Sequence, residues 1–330
     1  MRKTNPHPAL VRLIYPIAAL VLLLIFNGLM TPGFFHLNVT EGRLYGHLID
    51  IPNQAAPIML VSIGMTLVIA TGGVDLSVGA VIAIAGSVTA LLIVNTNSGI
   101  FEILFLVLVL CAAAGMWNGM LVAVFNIQPI ISTLILMVAG RGIAQLMTRG
   151  QIITFHSAAF AFIGNGYFLG LPFTIAIAIA ALIVTSSLTR MTAMGLFIES
   201  VGNNITASRY AGINVTVIKI LVYTISGLWA GMAGVIIATD IMAADANNAG
   251  LYYELDAILA VVIGGTALTG GRFSLAGSIV GALIIQTLTT TIRAQNVPVE
   301  FALVVKALAA LAVFLLQSEE FRKVILRRKM

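Results

Sequence analysis

Apolar runs of bilayer length follow one another along almost the whole chain, and they leave few folds open to it. In a window of roughly 19 residues, they fall near 10–30, 55–72, 76–95, 101–125, 128–148, 170–189, 215–239, 255–269, 274–292 and 299–317. About 20 helical residues cross a hydrocarbon core. No run shows the alternation of a barrel strand, and an unsatisfied backbone group in lipid costs several kcal/mol, so helices are the remaining solution. The pattern predicts an all-α polytopic membrane bundle of about ten transmembrane helices, one domain over 1–330 with a single long polar loop at 190–214. Composition agrees: 60% of residues are hydrophobic and only 9% charged, against about 25% charged in an ordinary globular domain.

The net charge of +5 raises nucleic acid as a partner, but the basic residues flank apolar runs instead of forming a stripe. With the N-terminus in the cytoplasm, the inside segments hold Arg2, Lys3, Arg12, Arg190, Arg209, Arg272, Arg322, Lys323, Arg327, Arg328 and Lys329, while the outside segments hold Arg43, Arg149 and Arg293. That asymmetry follows the positive-inside rule and predicts an inner-membrane protein with both termini in the cytoplasm. The first run has no small-x-small cleavage site before Thr31-Pro32-Gly33 and reads as an uncleaved helix. Cys111 is the only cysteine; it excludes an internal disulfide and a multi-cysteine metal site, and reads as packing.

An ion-driven transporter carries ionisable groups within its spans. Here Asp75 sits at an inner helix end, Glu102 and Asp240 at outer ends, and Glu254 and Asp256 open a helix, while His7, His36, His47 and His156 lie in tails or loops. Arg141 and Lys306 fall inside apolar runs with no acid nearby in sequence, and are expected to snorkel or face a wet interior. No lysine follows a glycine, so there is no P-loop and no nucleotide site is expected on this chain. Neither is a catalytic pair or a metal site. The energy for transport is then expected from another subunit.

Three stretches interrupt the apolar pattern. In the 190–214 loop, Asn204 is placed to cap a short helix from Ile205 to Ala211, ended by Gly212 in the left-handed conformation; it reads equally as a helix lying on the membrane or as a docking element. In Thr71-Gly72-Gly73-Val74-Asp75-Leu76-Ser77-Val78-Gly79, Asp75 reads as the cap of a helix beginning at Leu76. The run Gly264-Gly265-Thr266-Ala267-Leu268-Thr269-Gly270-Gly271-Arg272 reads as a turn between helices. Pairs such as Gly115 with Gly119, Gly227 with Gly231 and Gly277 with Gly281 suit close helix packing.

These stretches resemble the permease subunits of bacterial ABC sugar importers of the ribose, xylose and galactose group. The resemblance runs over nearly the whole chain and rests on 64–69 followed by 72–79, on Asn204 to Ile213, and on 254–258 followed by 261–266 and 270–272. Ala56-Pro57, 70–73, 138–142 and 244–251 are most similar to permeases of galactofuranose importers. The resemblance implies a periplasmic sugar-binding protein, a second permease, identical or paralogous, and a cytoplasmic ATPase that holds ATP and magnesium. It assigns the 195–213 loop to coupling, with Asn204, Ser208, Arg209, Tyr210 and Gly212 as the transmitting residues, and makes Gly72, Gly73, Asp75, Ser77, Gly264, Gly265, Gly270 and Gly271 candidate turn or gate positions. A sugar needs a polar-lined path. Thr66, Ser77, Asn118, Gln145 and Thr224 are the uncharged candidates within the runs, and Asp240, Asp245, Asn247 and Asn248 are candidates to meet the binding protein.

Overall fold

The computed structural model describes residues 8–40, 42–295, 301, 304–308 and 311. The helices with both ends described run in order: α1 (Pro8–Met30), α2 (His47–Ala70), α3 (Val78–Asn95), α4 (Ile100–Ala123), α5 (Pro129–Thr148), α6 (Ala158–Asn165), α7 (Phe173–Arg190), α8 (Met194–Asn203), α9 (Ile205–Tyr210), α10 (Val215–Asp240), α11 (Tyr253–Ile263) and α12 (Leu275–Ala294); the described residues 301, 304–308 and 311 are helical as well. Three two-stranded antiparallel ribbons lie between them: β1 (Asn38–Thr40) with β2 (Arg43–Tyr45), β3 (Ile153–Thr154) with β6 (Ala243–Ala244), and β4 (Tyr167–Phe168) with β5 (Leu171–Pro172).

Eight helices, α1 to α5, α7, α10 and α12, are long and apolar enough to cross a membrane among the described residues. The sequence predicts about ten. The run at 255–269 becomes the 11-residue α11, about 16 Å long at 1.5 Å per residue and too short to span. The run at 299–317 lies largely outside the described residues, as do the basic residues at 2, 3 and 322–329 on which the predicted orientation leans. α2 starts at His47, eight residues before its apolar run, because its polar first turns have partners: Asn53 accepts a hydrogen bond from Thr174, and Gln54 accepts one from Gln286 at 3.1 Å.

α2, α3 and α10 form the centre. Every α2 side chain from Ala55 to Ala70 is buried, whereas α1, α4 and α5 expose rows of large apolar residues to their surroundings. In lipid, helices associate through packing and not through apolar burial, so small residues decide how close they come. Gly115 and Gly119 of α4 lie against Tyr223, Gly227 and Ile220 of α10; Gly231 faces Cys111; Gly281 of α12 faces the Ala260 carbonyl of α11. Cys111 is buried and free, in the packing role its sequence setting predicts.

Candidate functional site

The polar side chains and tight turns gather at two levels of the bundle. At one end, α8 and α9 stand outside the spans. Asn204 caps α9: its Oδ1 accepts the Ala207 N–H at 2.9 Å. Gly212 follows the helix with φ of 81°, a conformation glycine adopts without cost. The sequence predicts this helix and its stops. α8 goes unrecognised in the sequence, because its ten residues carry a short amphipathic pattern that reads as loop. Arg209 and Tyr210 point outward, Tyr210 with 89% of its surface exposed, whereas Ser208 is buried and bonds back to the Asn204 carbonyl at 2.9 Å. Asn204→Ala is expected to cost α9 about 1 kcal/mol, read as faster amide hydrogen exchange over 205–210 with protection in α10 unchanged. Equal exchange in both proteins would remove the capping role.

α8 packs its buried Ile198 and Val201 on the membrane body, and at its C-terminal end it also meets that body backbone to backbone. The Gly271 N–H donates to the Ala70 carbonyl at the end of α2, 2.8 Å. Gly202 of α8 packs onto that same carbonyl and onto the Gly271 nitrogen so closely that a Cβ there would collide with both. A Cβ on Gly270 would sit 2.9 Å from the Gly72 nitrogen and 3.0 Å from the Gly202 oxygen. Gly270 and Gly271 have φ of 88° and 94°, which L side chains rarely adopt. Gly72 (φ 78°) and Gly265 (φ 89°) complete the two turns. Gly264 faces Gly277 at the start of α12, and Gly73 leaves room for the Tyr223 hydroxyl.

From this junction the chain turns inward to Asp75, which is 1% exposed. The helix that follows begins at Val78 with Ser77 as its flanking residue, not at Leu76, so Asp75 does not cap it as the sequence suggests. Its carboxylate instead ties three elements. Oδ1 accepts the Ser77 N–H at 3.0 Å and the Ser77 hydroxyl at 2.6 Å, and Oδ2 accepts the Ser226 hydroxyl of α10 at 2.8 Å. Asn118 of α4 donates to the Ser77 hydroxyl at 2.8 Å. Three donors and the nearby start of α3 offset part of the cost of burying this carboxylate.

The second level adjoins the first at the start of α3 and is built by the segment that follows α10. After α10 ends at Asp240, the segment 241–252 turns back into the bundle, pairs β6 with β3, and brings Gly250 against Gly79 near the start of α3. Arg141 of α5 holds it: the guanidinium donates to the carbonyls of Ala246 (3.1 Å), Ala249 (2.6 Å) and Gly79 (3.3 Å). Gln145 donates to Asn247 Oδ1 at 2.9 Å. Asp245 accepts the Asn247 and Asn248 N–H groups and the Asn248 side chain. Burial alone would raise its pKa, but these bonds and the nearby Arg141 charge hold it below the ordinary carboxylate value, so it stays ionised.

Two sequence expectations are corrected here. Acids do enter the packed body, since Asp75 and Asp256 are both buried. Lys306 does not snorkel: it forms a 2.7 Å ion pair with Asp256, with side chains only 13% and 11% exposed. Of the candidate lining groups, Thr66, Ser77 and Asn118 are sealed inside the chain. Thr66 bonds to Ser278 at 2.7 Å, and Thr224 bonds to the Ile220 carbonyl of its own helix. Gln145 remains accessible. Asp240 is exposed at the end of α10, its carbonyl accepting from Asn165 at 3.0 Å.

Comparison with known proteins turns this architecture into a family. Residues 47–314 match the model described as the permease component of the branched-chain amino acid transport system. The chain belongs to this permease family. It is 53% identical to the galactofuranose transporter permease YtfT of Escherichia coli (strain K12), over 94% of this chain and 90% of that one. It is 41% identical to the fructose import permease FruF of Bifidobacterium longum (strain NCC 2705), over 89% and 85% of the two chains. The ribose import permease RbsC of Haemophilus influenzae is 35% identical over 90% of each. No solved structure gives a significant match. With eight helices of crossing length, this family member is a multi-pass protein of the inner membrane.

Proposed function

We propose that this permease is the membrane subunit of an ATP-driven, binding-protein-dependent monosaccharide importer, and that its sugar is galactofuranose or a close relative. The relatives named above carry galactofuranose, fructose and ribose, and 53% identity along nearly the full length favours the first. The observation that carries the mechanism is the α8–α9 segment. It presents Arg209 and Tyr210 away from the bundle, and is keyed by Gly202 into the two glycine turns that lead to Asp75. A cytoplasmic ATPase that grips this segment moves the backbone at the α2–α3 turn directly, with no side chain in between to absorb the motion. ATP and magnesium are held by that partner, a periplasmic protein delivers the sugar, and a second permease, identical or paralogous, completes the route. Both termini then lie in the cytoplasm with α8 and α9.

The buried Asp256–Lys306 pair gives a second reading, an ion-coupled sugar transporter, some footing, because intramembrane ion pairs serve as relays in such proteins. One experiment separates the two. The permease is reconstituted in proteoliposomes, and uptake of radiolabelled galactose, fructose and ribose is followed. Uptake is expected only with ATP, the ATPase and the binding protein all present. Uptake by the permease alone, driven by a proton or sodium gradient, would establish the second reading and reject the first.

A further inference from the structure

We propose that the α5 face carrying Arg141 and Gln145, together with Asn247 of the re-entrant 241–252 segment, lines the solute route and hydrogen-bonds the hydroxyls of a neutral polyhydroxylated ring. This rests on the sugar reading above and assigns it a place.

The case begins with depth. Arg141 lies seven residues before the end of α5 at Thr148, roughly 10 Å along the helix at 1.5 Å per residue. Its neighbours on the exposed side, Val138 (64% exposed), Ile143 (47%) and Leu146 (79%), suit lipid. Arg141 and Gln145 do not, and both keep part of their surface open. A guanidinium turned toward hydrocarbon costs at least about 2.5–3.5 kcal/mol. This strip of α5 therefore meets water or a polar solute.

The groups in the strip are incompletely used. A guanidinium has five N–H donors; Arg141 makes three hydrogen bonds, two to backbone carbonyls of the segment it clamps and one to the Gly79 carbonyl of α3. That clamp fixes the guanidinium plane. Gln145 Nε2 donates to Asn247 Oδ1 and Asn247 Nδ2 reaches the Gly150 carbonyl at 3.4 Å, while the Gln145 side-chain oxygen accepts no hydrogen bond among the described residues. Donors from a fixed guanidinium stand on the same face as an amide acceptor. Adjacent sugar hydroxyls, each both donor and acceptor, need such a mixed pair, and would lose a few kcal/mol apiece against an apolar wall. Asn247, which the sequence suggests as a contact for the binding protein, is drawn by its bond to Gln145 into the route instead.

The test uses the whole importer in proteoliposomes, with Cys111 replaced by alanine, and single cysteines Gln145→Cys and Leu146→Cys probed with a membrane-impermeant methanethiosulfonate. Modification is expected at position 145 and slowed several-fold by saturating galactose-loaded binding protein, with position 146 unmodified. Gln145→Ala and Asn247→Ala are expected to slow uptake about 5- to 10-fold, the worth of one hydrogen bond of roughly 1 kcal/mol or slightly more. Gln145→Glu, which keeps the acceptor and the shape, is expected to retain more uptake than Gln145→Ala. If the unsubstituted importer takes up sugar while position 145 resists the reagent, or while both alanine variants match it, a lipid or protein contact covers this face and the proposal falls alone. If the unsubstituted importer moves no sugar, the permease reading falls and takes the proposal with it.

Discussion

Lys306→Met is expected to destabilise this permease by about 3–5 kcal/mol, the usual cost of leaving one member of a buried ion pair without its partner. The pair is well placed for so large an effect: the two side chains are 13% and 11% exposed, 2.7 Å apart, and form the one salt bridge among the described residues. Asp256 lies one turn into α11, a helix too short to cross the membrane, so its link to Lys306 anchors a segment with few other polar ties. The double variant Asp256→Leu with Lys306→Met is expected to recover most of the loss, because a buried pair exchanged for apolar groups of similar size is often neutral or better. Unfolding in detergent, followed for the wild type, both single variants and the double variant, closes the cycle. A double variant as unstable as Lys306→Met would mean that packing around Lys306, and not its charge, is what the single change removes.

That pair shows where sequence reading of this chain stops. Membrane insertion, the long helices and the break between α2 and α3 were all legible, because each depends on apolar length and on glycine turns, which are local. The same holds for α9, where Asn204 and Gly212 mark both ends of a six-residue helix. Contacts between residues far apart in sequence were not. Asp256 and Lys306 are 50 residues apart, and nothing along the chain says that two lone charges in separate apolar runs meet.

Asp75 shows the same limit from the other side. An acid two glycines after an apolar run looks like a helix cap, and the sequence holds no sign that Ser226, 151 residues later, supplies a donor to it. The stretches at 72–79 and 264–272 could be recognised one by one, but nothing in the sequence marks Gly202 of α8 as their neighbour, and only the fold brings these glycines to one place. Glycine spacing announces close approach without naming the partner. The Arg141 clamp had a weaker signal: a cation in an apolar run demands either a partner or water, and two of the three carbonyls it binds lie in a stretch whose Asp-Ala-Asn-Asn pattern reads as an ordinary loop.

The junction of those motifs carries the prediction with the largest expected effect on transport. Gly202→Ala adds one methyl group where backbone already meets backbone, against the Ala70 carbonyl and the Gly271 nitrogen. Neither neighbour is the end of a flexible side chain, so the chain itself must shift, and overpacking of this kind costs about 1–3 kcal/mol. Displacing α8 also threatens the Gly271 to Ala70 hydrogen bond, which holds the two glycine turns together. If this contact transmits motion from the ATPase, Gly202→Ala loses at least tenfold in sugar uptake per ATP hydrolysed, while the assembled complex still binds and cleaves ATP. Gly33→Ala, outside the coupling segment at a position with φ of 79° and nothing within 4 Å, strains the left-handed backbone alone by roughly 1 kcal/mol, and is expected to keep most of that ratio. Should Gly202→Ala transport sugar at the wild-type ratio, the coupling path must leave α8 elsewhere, and the glycine junction is reduced to packing.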